Sequence, residues 1–176
     1  MSDASRKIGI LQVAVMAGLV TFLGGSAVAA AIVAPRATPS TAHGEGFQLR
    51  SHVDSNFCID VPAGSTQGRQ LSLGVCSLNA TQRWTFTSNA DGTNLIVDSM
   101  GMCVDAVGRK AGDGIALKVV NCSFVKTQRF RYTSVGRIQL SGTTSCLSIP
   151  RAGAAAAVFL ENCNSATTRQ QFKLSL

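Results

Sequence analysis

The sequence predicts an all-β domain that is built from three repeats of about 43 residues. Six cysteines fall into three consecutive pairs along the chain. The first cysteine of the second pair lies 45 residues after the first cysteine of the first pair, and the next such step is 43 residues. Turn signals separate short apolar stretches, and the apolar residues show no sustained 3.6-residue helical period. This pattern is typical of an all-β fold. Because a unit this small cannot bury its own apolar face, we expect the three units to pack around a common axis.

The composition limits the chain to one folded domain with or without a tail. The chain has 176 residues, of which 45% are hydrophobic and 14% are charged, with a formal net charge of +7. This hydrophobic fraction is too high, and the charge too low, for a disordered protein. A mild positive excess favours anionic surfaces as neighbours.

The first 29 residues are predicted to be a signal peptide. Arg6 and Lys7 precede a run without charge over residues 8–34, and Ala-Val-Ala before the predicted cut after Ala29 fits a signal peptidase site. The alternative is an uncleaved anchor, because about 20 apolar residues suffice to span a bilayer. The domain would be secreted in the first case, and in the second it would be anchored to a membrane outside the cytoplasm.

A flexible linker is predicted over residues 30–46, where proline and small polar residues accumulate. The repeats then occupy residues 47–176.

The cysteines of the repeats fall into consecutive pairs whose members are 18, 19 and 17 residues apart. The repeat symmetry selects one of the 15 possible connectivities. A zinc site is the alternative, but it would need closely spaced CxxC pairs, which the sequence lacks. The predicted disulfides, one per repeat, are Cys58–Cys76, Cys103–Cys122 and Cys146–Cys163.

Each repeat ends in a related motif, which reads TQRWTF, TQRFRY and RQQFKL in turn. The motif places an apolar residue two positions after its aromatic residue, so both side chains lie on one face of a strand. We predict that the leading aromatic residues form the core where the repeats meet. They are Trp84, Phe130 and Phe172.

A Cys-apolar-Asp motif, a second Cys about 18 residues on and a Gln-x-aromatic motif occur in each repeat, with Ser in place of Asp in the third. Together they resemble the ricin B-type lectin family. The first motif reads FCIDV, MCVDA and SCLSI. The resemblance covers the whole domain after the linker. It implies a β-trefoil, in which twelve strands form a six-stranded barrel capped by three hairpins. It also implies a non-catalytic lectin that binds a glycan or polysaccharide at up to three shallow sites.

The same resemblance implies which residues contact sugar. Asp60 and Asp105 follow the first Cys of their repeats, where a carboxylate accepts hydrogen bonds from two sugar hydroxyls. The alternative role for both is a local turn hydrogen bond. Ser148 takes this position in the third repeat, so the third site is predicted to be lost. Gln82 and Gln128 either contact the sugar or have a structural role.

An aromatic platform, which the family places two residues before the second Cys, is missing here. Those positions hold Gly74, Val120 and Glu161. Because stacking area supplies much of the affinity for sugars, weak binding is expected. The missing platform also motivates an alternative function, a protein-binding module such as an accessory subunit of a secreted complex or toxin, or an inhibitor.

Other chemistries have little support in the sequence. The chain has two histidines, and no catalytic, phosphate-binding or metal-binding motif is present. We therefore expect no enzyme activity, cofactor or metal. Nucleic-acid binding is not expected either, because basic pairs such as Arg109-Lys110 usually form a solvated face. Contact with a membrane is expected only if the N-terminal segment stays uncleaved.

Overall fold

The architecture is that of a computed structural model, which describes residues 46–176. The predicted signal peptide and all but the last residue of the predicted linker lie outside the described residues. Each repeat contributes four short strands to the fold. The twelve strands are β1 (Gln48–Ser51), β2 (Phe57–Asp60), β3 (Ser72–Val75), β4 (Trp84–Ser88), β5 (Asn94–Asp98), β6 (Cys103–Ala106), β7 (Ile115–Val120), β8 (Phe130–Tyr132), β9 (Ile138–Leu140), β10 (Ser145–Ser148), β11 (Phe159–Asn162) and β12 (Phe172–Ser175).

The first and last strands of each repeat form a closed ring of six strands. Antiparallel pairing joins β1 to β12, β4 to β5, β5 to β8 and β8 to β9. A bridge between Phe47 and Trp84 connects the start of β1 to β4. The amide of Phe172 donates to the carbonyl of Gly136, 2.8 Å away, and so connects β12 to the segment before β9. The predicted six-stranded barrel is therefore confirmed.

The two middle strands of each repeat form three hairpins, β2–β3, β6–β7 and β10–β11. Neighbouring hairpins meet in pairs, through the bridges Gln70–Lys118 and Ser72–Ala157 and through the pairing of β7 with β11. The hairpins thus form a triangular cap, and the β-trefoil predicted from the sequence is confirmed.

The core lies where the barrel and the cap meet, and each repeat contributes one large aromatic side chain to it. Trp84, Phe130 and Phe172 are at most 1% exposed and belong to one apolar cluster. The indole N–H of Trp84 donates to the carbonyl of Ile59, 3.1 Å away, so its only polar atom has a partner. The predicted core role of these three residues is confirmed.

Three disulfides connect the strands of the hairpins to the loops that follow them. The pairing is the one that repeat symmetry predicts, and each bond closes a segment within a single repeat. Four short 3₁₀ turns are the only helical segments of residues 46–176. None of these segments is long and apolar enough to cross a membrane.

Candidate functional site

Two carboxylates lie at equivalent places on the outer face of the cap. Side chains alternate along a strand, so Ile59 and Val104 point into the core and the following residues, Asp60 and Asp105, point away from it. Asp60 is half-buried and Asp105 is 6% exposed. Each carboxylate ends or nearly ends the first strand of its hairpin.

A buried glutamine holds the carboxylate of the first repeat. Nε2 of Gln82 donates to Oδ2 of Asp60 at 3.0 Å and to the carbonyl of Val75 at 2.9 Å. Its Oε1 accepts from the amide of Ser77 at 2.8 Å. Gln82 therefore ties together the carboxylate, the end of β3 and the loop after the second Cys.

The second repeat has the same arrangement. Nε2 of Gln128 donates to Oδ2 of Asp105 and to the carbonyl of Asn121, both at 3.2 Å. Its Oε1 accepts from the amides of Ser123 and Phe124 at 2.8 and 3.1 Å. Like its counterpart in the first repeat, Gln128 has almost no exposed surface. The arrangement supports a structural role for both glutamines, and their direct contact with sugar stays a prediction.

The second oxygen of each carboxylate has no hydrogen-bond partner among the described residues. Oδ1 of Asp60 and Oδ1 of Asp105 are both covered, although covered polar atoms normally have a partner. Ser72 lies opposite Asp60 on the neighbouring strand, and Lys118 lies opposite Asp105.

A shallow cavity of about 560 Å³ lies over the carboxylate of the second repeat. Lys118, Asn121 and Ser123 contribute to its wall, as does Arg109 from the loop between β6 and β7. Gln67 of the first repeat also lines this cavity. Its Oε1 accepts a hydrogen bond from the amide of Asn121 at 3.0 Å, which joins the first repeat to the site of the second. The sequence motifs do not indicate Gln67, Asn121 or Ser123, because these residues lie in loops. Lys118 lies on β7 and Arg109 was interpreted only as part of a solvated face.

An exposed aromatic side chain also lies close to this site. Phe124 is 58% exposed and has a positive φ of 57°, which a bulky side chain rarely adopts. It follows Ser123, which lines the cavity. Phe124 lies two residues after the second Cys of its repeat, and Leu78, which is 88% exposed, takes the same position in the first repeat. This recurrence of an apolar residue after the second Cys is the sequence signal that could have identified Phe124.

The vacant platform position of the first repeat has a geometric cause. A Cβ atom added to Gly74 would collide with Oδ2 of Asp60 and would lie 2.9 Å from Nε2 of Gln82. A side chain at this position would therefore displace the Asp60 carboxylate from its present place beside Gln82.

In the third repeat the carboxylate comes from the other strand of the hairpin. Oγ of Ser148 donates to Oε2 of Glu161, which lies at the platform position on β11. Phe159 lies opposite Ser148 and is partly exposed. Gln170 still holds the loop, by donating to the carbonyl of Asn162 at 2.8 Å and accepting from the amide of Asn164 at 2.7 Å. The loss of the third sugar site stays a prediction.

No group of three or more His, Cys, Asp or Glu side chains in residues 46–176 is arranged to hold a metal ion. The two motif carboxylates lie in different hairpins, each with its own glutamine. This arrangement differs from a pair of carboxylates that face one substrate bond.

Comparison with solved structures gives the same fold. The designed threefold-symmetric protein ThreeFoil is 18% identical with a TM-score of 0.69, over 74% of this chain and 97% of ThreeFoil. The C-half of the earthworm R-type lectin, solved in complex with GalNAc, is 12% identical with a TM-score of 0.61, over 75% of this chain and 98% of that one. A mosquitocidal holotoxin is 12% identical with a TM-score of 0.63, and this chain covers 17% of it.

Comparison of sequences identifies the family. Nigrin b from Sambucus nigra is 31% identical over 128 residues, which make up 68% of this chain and 22% of Nigrin b. The chain thus spans about a fifth of the length of that relative. The profile of the ricin-type β-trefoil lectin domain matches residues 45–172. Because this match covers most of the chain and the described residues form a β-trefoil, the chain belongs to the ricin-type β-trefoil lectin family.

Proposed function

We propose that the protein is a secreted, non-catalytic carbohydrate-binding module with shallow sites in its first and second repeats. The observation that carries the proposal is the pair of carboxylates, Asp60 and Asp105, each fixed by a buried glutamine and each left with one free acceptor oxygen. Membership in a lectin family supports carbohydrate as the class of ligand. Secretion rests on the predicted signal peptide of residues 1–29.

The second repeat offers the better site. Its carboxylate lines a cavity whose other walls supply amide, hydroxyl and cationic donors, which suit the hydroxyl-rich surface of a sugar. Binding of the free acceptor by a sugar hydroxyl would be a charge-assisted hydrogen bond, the stronger kind. Because no aromatic ring lies at the platform position, most of the affinity would come from polar contacts.

A glycan array with the exported protein tests the proposal, with GalNAc and galactosides among the glycans. Asp105→Asn and Asp60→Asn change the charge of each site and hardly change its shape. Asp113→Asn, on the loop between β6 and β7, is the matched control because it makes the same chemical change outside both sites. A lost charge-assisted bond lowers the affinity by about tenfold or more.

We expect binding by the wild-type and the control protein, and a weaker signal from Asp105→Asn. Absence of binding by the wild-type protein, or equal binding by all the variants, would contradict the proposal. Mass spectrometry of the exported protein tests secretion separately. A mature chain that begins at Ala30 is expected, and a chain that retains the apolar segment would support the anchor instead.

Exposed apolar side chains favour a second candidate function, a protein-binding module. Val75 and Leu78 lie close together in sequence, and they are 62% and 88% exposed. A partner that copurifies from the culture medium, resists elution by sugar and is lost in Leu78→Ser would support this candidate. Sugar-dependent elution of the protein as a sole species would contradict it.

A further inference from the structure

A second cavity, of about 400 Å³, shares Arg109 with the cavity over Asp105. Its walls come from the loop between β6 and β7, the 3₁₀ turn before β8 and the loop between β9 and β10. The β9–β10 loop contributes small, neutral residues. Four cationic residues also line the cavity, together with one acidic residue from the loop between β4 and β5. The charged residues are Arg109, Lys110, Lys126, Arg129 and Asp91.

The one carboxylate does not neutralise this surface. Oδ2 of Asp91 forms an ion pair with Arg129 at 2.7 Å, and its Oδ1 accepts from Thr93. Within residues 46–176, the side chains of Arg109, Lys110 and Lys126 form no ion pair, because that of Asp91 and Arg129 is the only one. Three cationic residues therefore line this cavity without an ion-pair partner among residues 46–176.

The shared arginine is held at the boundary by the backbone. Gly108 and Arg109 both have positive φ values, of 70° and 56°. Glycine adopts this region freely, whereas arginine does so at some cost in strain. The turn that results places Arg109 in the walls of both cavities.

We propose that the second repeat binds acidic saccharides, with a sugar hydroxyl on Asp105 and a sulfate or carboxylate group of the same glycan among Arg109, Lys110 and Lys126. This inference rests on the proposed function, since it adds an anion subsite to that sugar site. The guanidinium group offers a planar fork of donors to an oxyanion, and the two ammonium groups add point charges. The free acceptor of Asp105 is suited to a sugar hydroxyl, which a site for a phosphate backbone alone does not need.

Two matched pairs of polysaccharides test the inference with the exported protein. Neutral galactan and the sulfated galactan κ-carrageenan form the sulfate arm, and neutral xylan and glucuronoxylan form the carboxylate arm. The test variant is Lys110→Ala with Lys126→Ala. The control is Arg151→Ala with Lys173→Ala, which removes the same charge from exposed positions elsewhere.

We expect the wild-type and control proteins to bind the acidic member of at least one pair about three to ten times more tightly than the neutral member. The test variant should lose this preference and keep its affinity for the neutral polysaccharide. The preference should also shrink as salt is raised from about 0.05 to 0.5 M, since exposed charges are screened.

Equal binding of acidic and neutral members in both arms would overturn the inference and leave the proposed function intact. Retention of the preference in the test variant would also overturn it. A DNA duplex that binds as tightly as the acidic polysaccharides, independently of Asp105, would show general polyanion binding and refute a saccharide site. If no polysaccharide binds and the glycan array is also blank, the proposed function fails together with the inference.

Discussion

The buried glutamine of the second repeat provides a quantitative test of how the carboxylate is held. Gln128→Met keeps the length of the side chain and removes its four hydrogen bonds. Three of these bonds join neutral groups and one joins a carboxylate. Neutral bonds contribute about 0.5–1.5 kcal/mol each and bonds to a charged group about 1.5–3 kcal/mol. We therefore expect the substitution to lower the free energy of unfolding by about 3–7.5 kcal/mol.

The third repeat supplies the matched control for this substitution. Gln170 is equally buried, but it forms two hydrogen bonds and both join neutral groups. By the same reasoning, Gln170→Met should cost about 1–3 kcal/mol. The difference between the two variants, about 2–4.5 kcal/mol, measures the bond to Asp105 and one additional neutral bond.

Urea unfolding of the two oxidised variants and of the wild-type protein gives these free energies, provided that the slopes agree. Losses that differ by less than about 0.5 kcal/mol would refute the reasoning, because they would mean that Gln128 does not stabilise the carboxylate. A variant that stays folded should also bind glycans more weakly, as Asp105→Asn does, which is the result expected of a positioning residue.

Three other substitutions test separate parts of the structure. Gly74→Ala should destabilise the protein by about 1–3 kcal/mol, because its Cβ collides with Asp60; an unchanged urea midpoint would contradict this. Hydrogen bonds from the side chain and backbone of the threonine two residues on, and then the nearby arginine, lower the pKa of Asp91 to about 2. The stability that Asp91 contributes is therefore present above about pH 4 and is lost as the pH falls towards 2, so thermal unfolding of Asp91→Asn should converge with that of the wild type over this range. Removal of the third disulfide by Cys146→Ala with Cys163→Ala should cost about 3 kcal/mol for its 17-residue separation, measured by guanidinium unfolding.

The fold could be predicted from the sequence because its main determinants are repeated. Three copies of one pattern fix the strands, the cysteine pairs and the central aromatic residues at the same time, so each copy supports the reading of the others. The core positions of Trp84, Phe130 and Phe172 follow from this register alone. A single repeat would have left the helix or strand assignment and the cysteine pairing open.

The site was only partly predictable, because its residues come together through contacts between loops and between repeats. Gln67 belongs to the first repeat and reaches the cavity of the second. Arg109 reaches both cavities by a turn that its spacing from the motifs does not indicate. The bond from Ser148 to Glu161 joins two positions that are separate in the sequence motifs. Ser148 takes the place of the motif aspartate, and Glu161 takes the place of the aromatic platform.

The three hairpins illustrate why a repeated fold can carry unequal sites. The core faces of the repeats pack against one another around the axis, so a change in one repeat alters the packing of the other two. The outward faces have no such constraint. They hold an aspartate beside a glycine in the first repeat, an aspartate beside a lysine in the second and a serine bonded to a glutamate in the third. The glutamine beneath each of them is buried in every repeat, and it binds the loop around the second cysteine whether or not it also bonds to a carboxylate. Divergence of these outward faces therefore leaves the β-trefoil unchanged, because neither the buried glutamines nor the core depends on it.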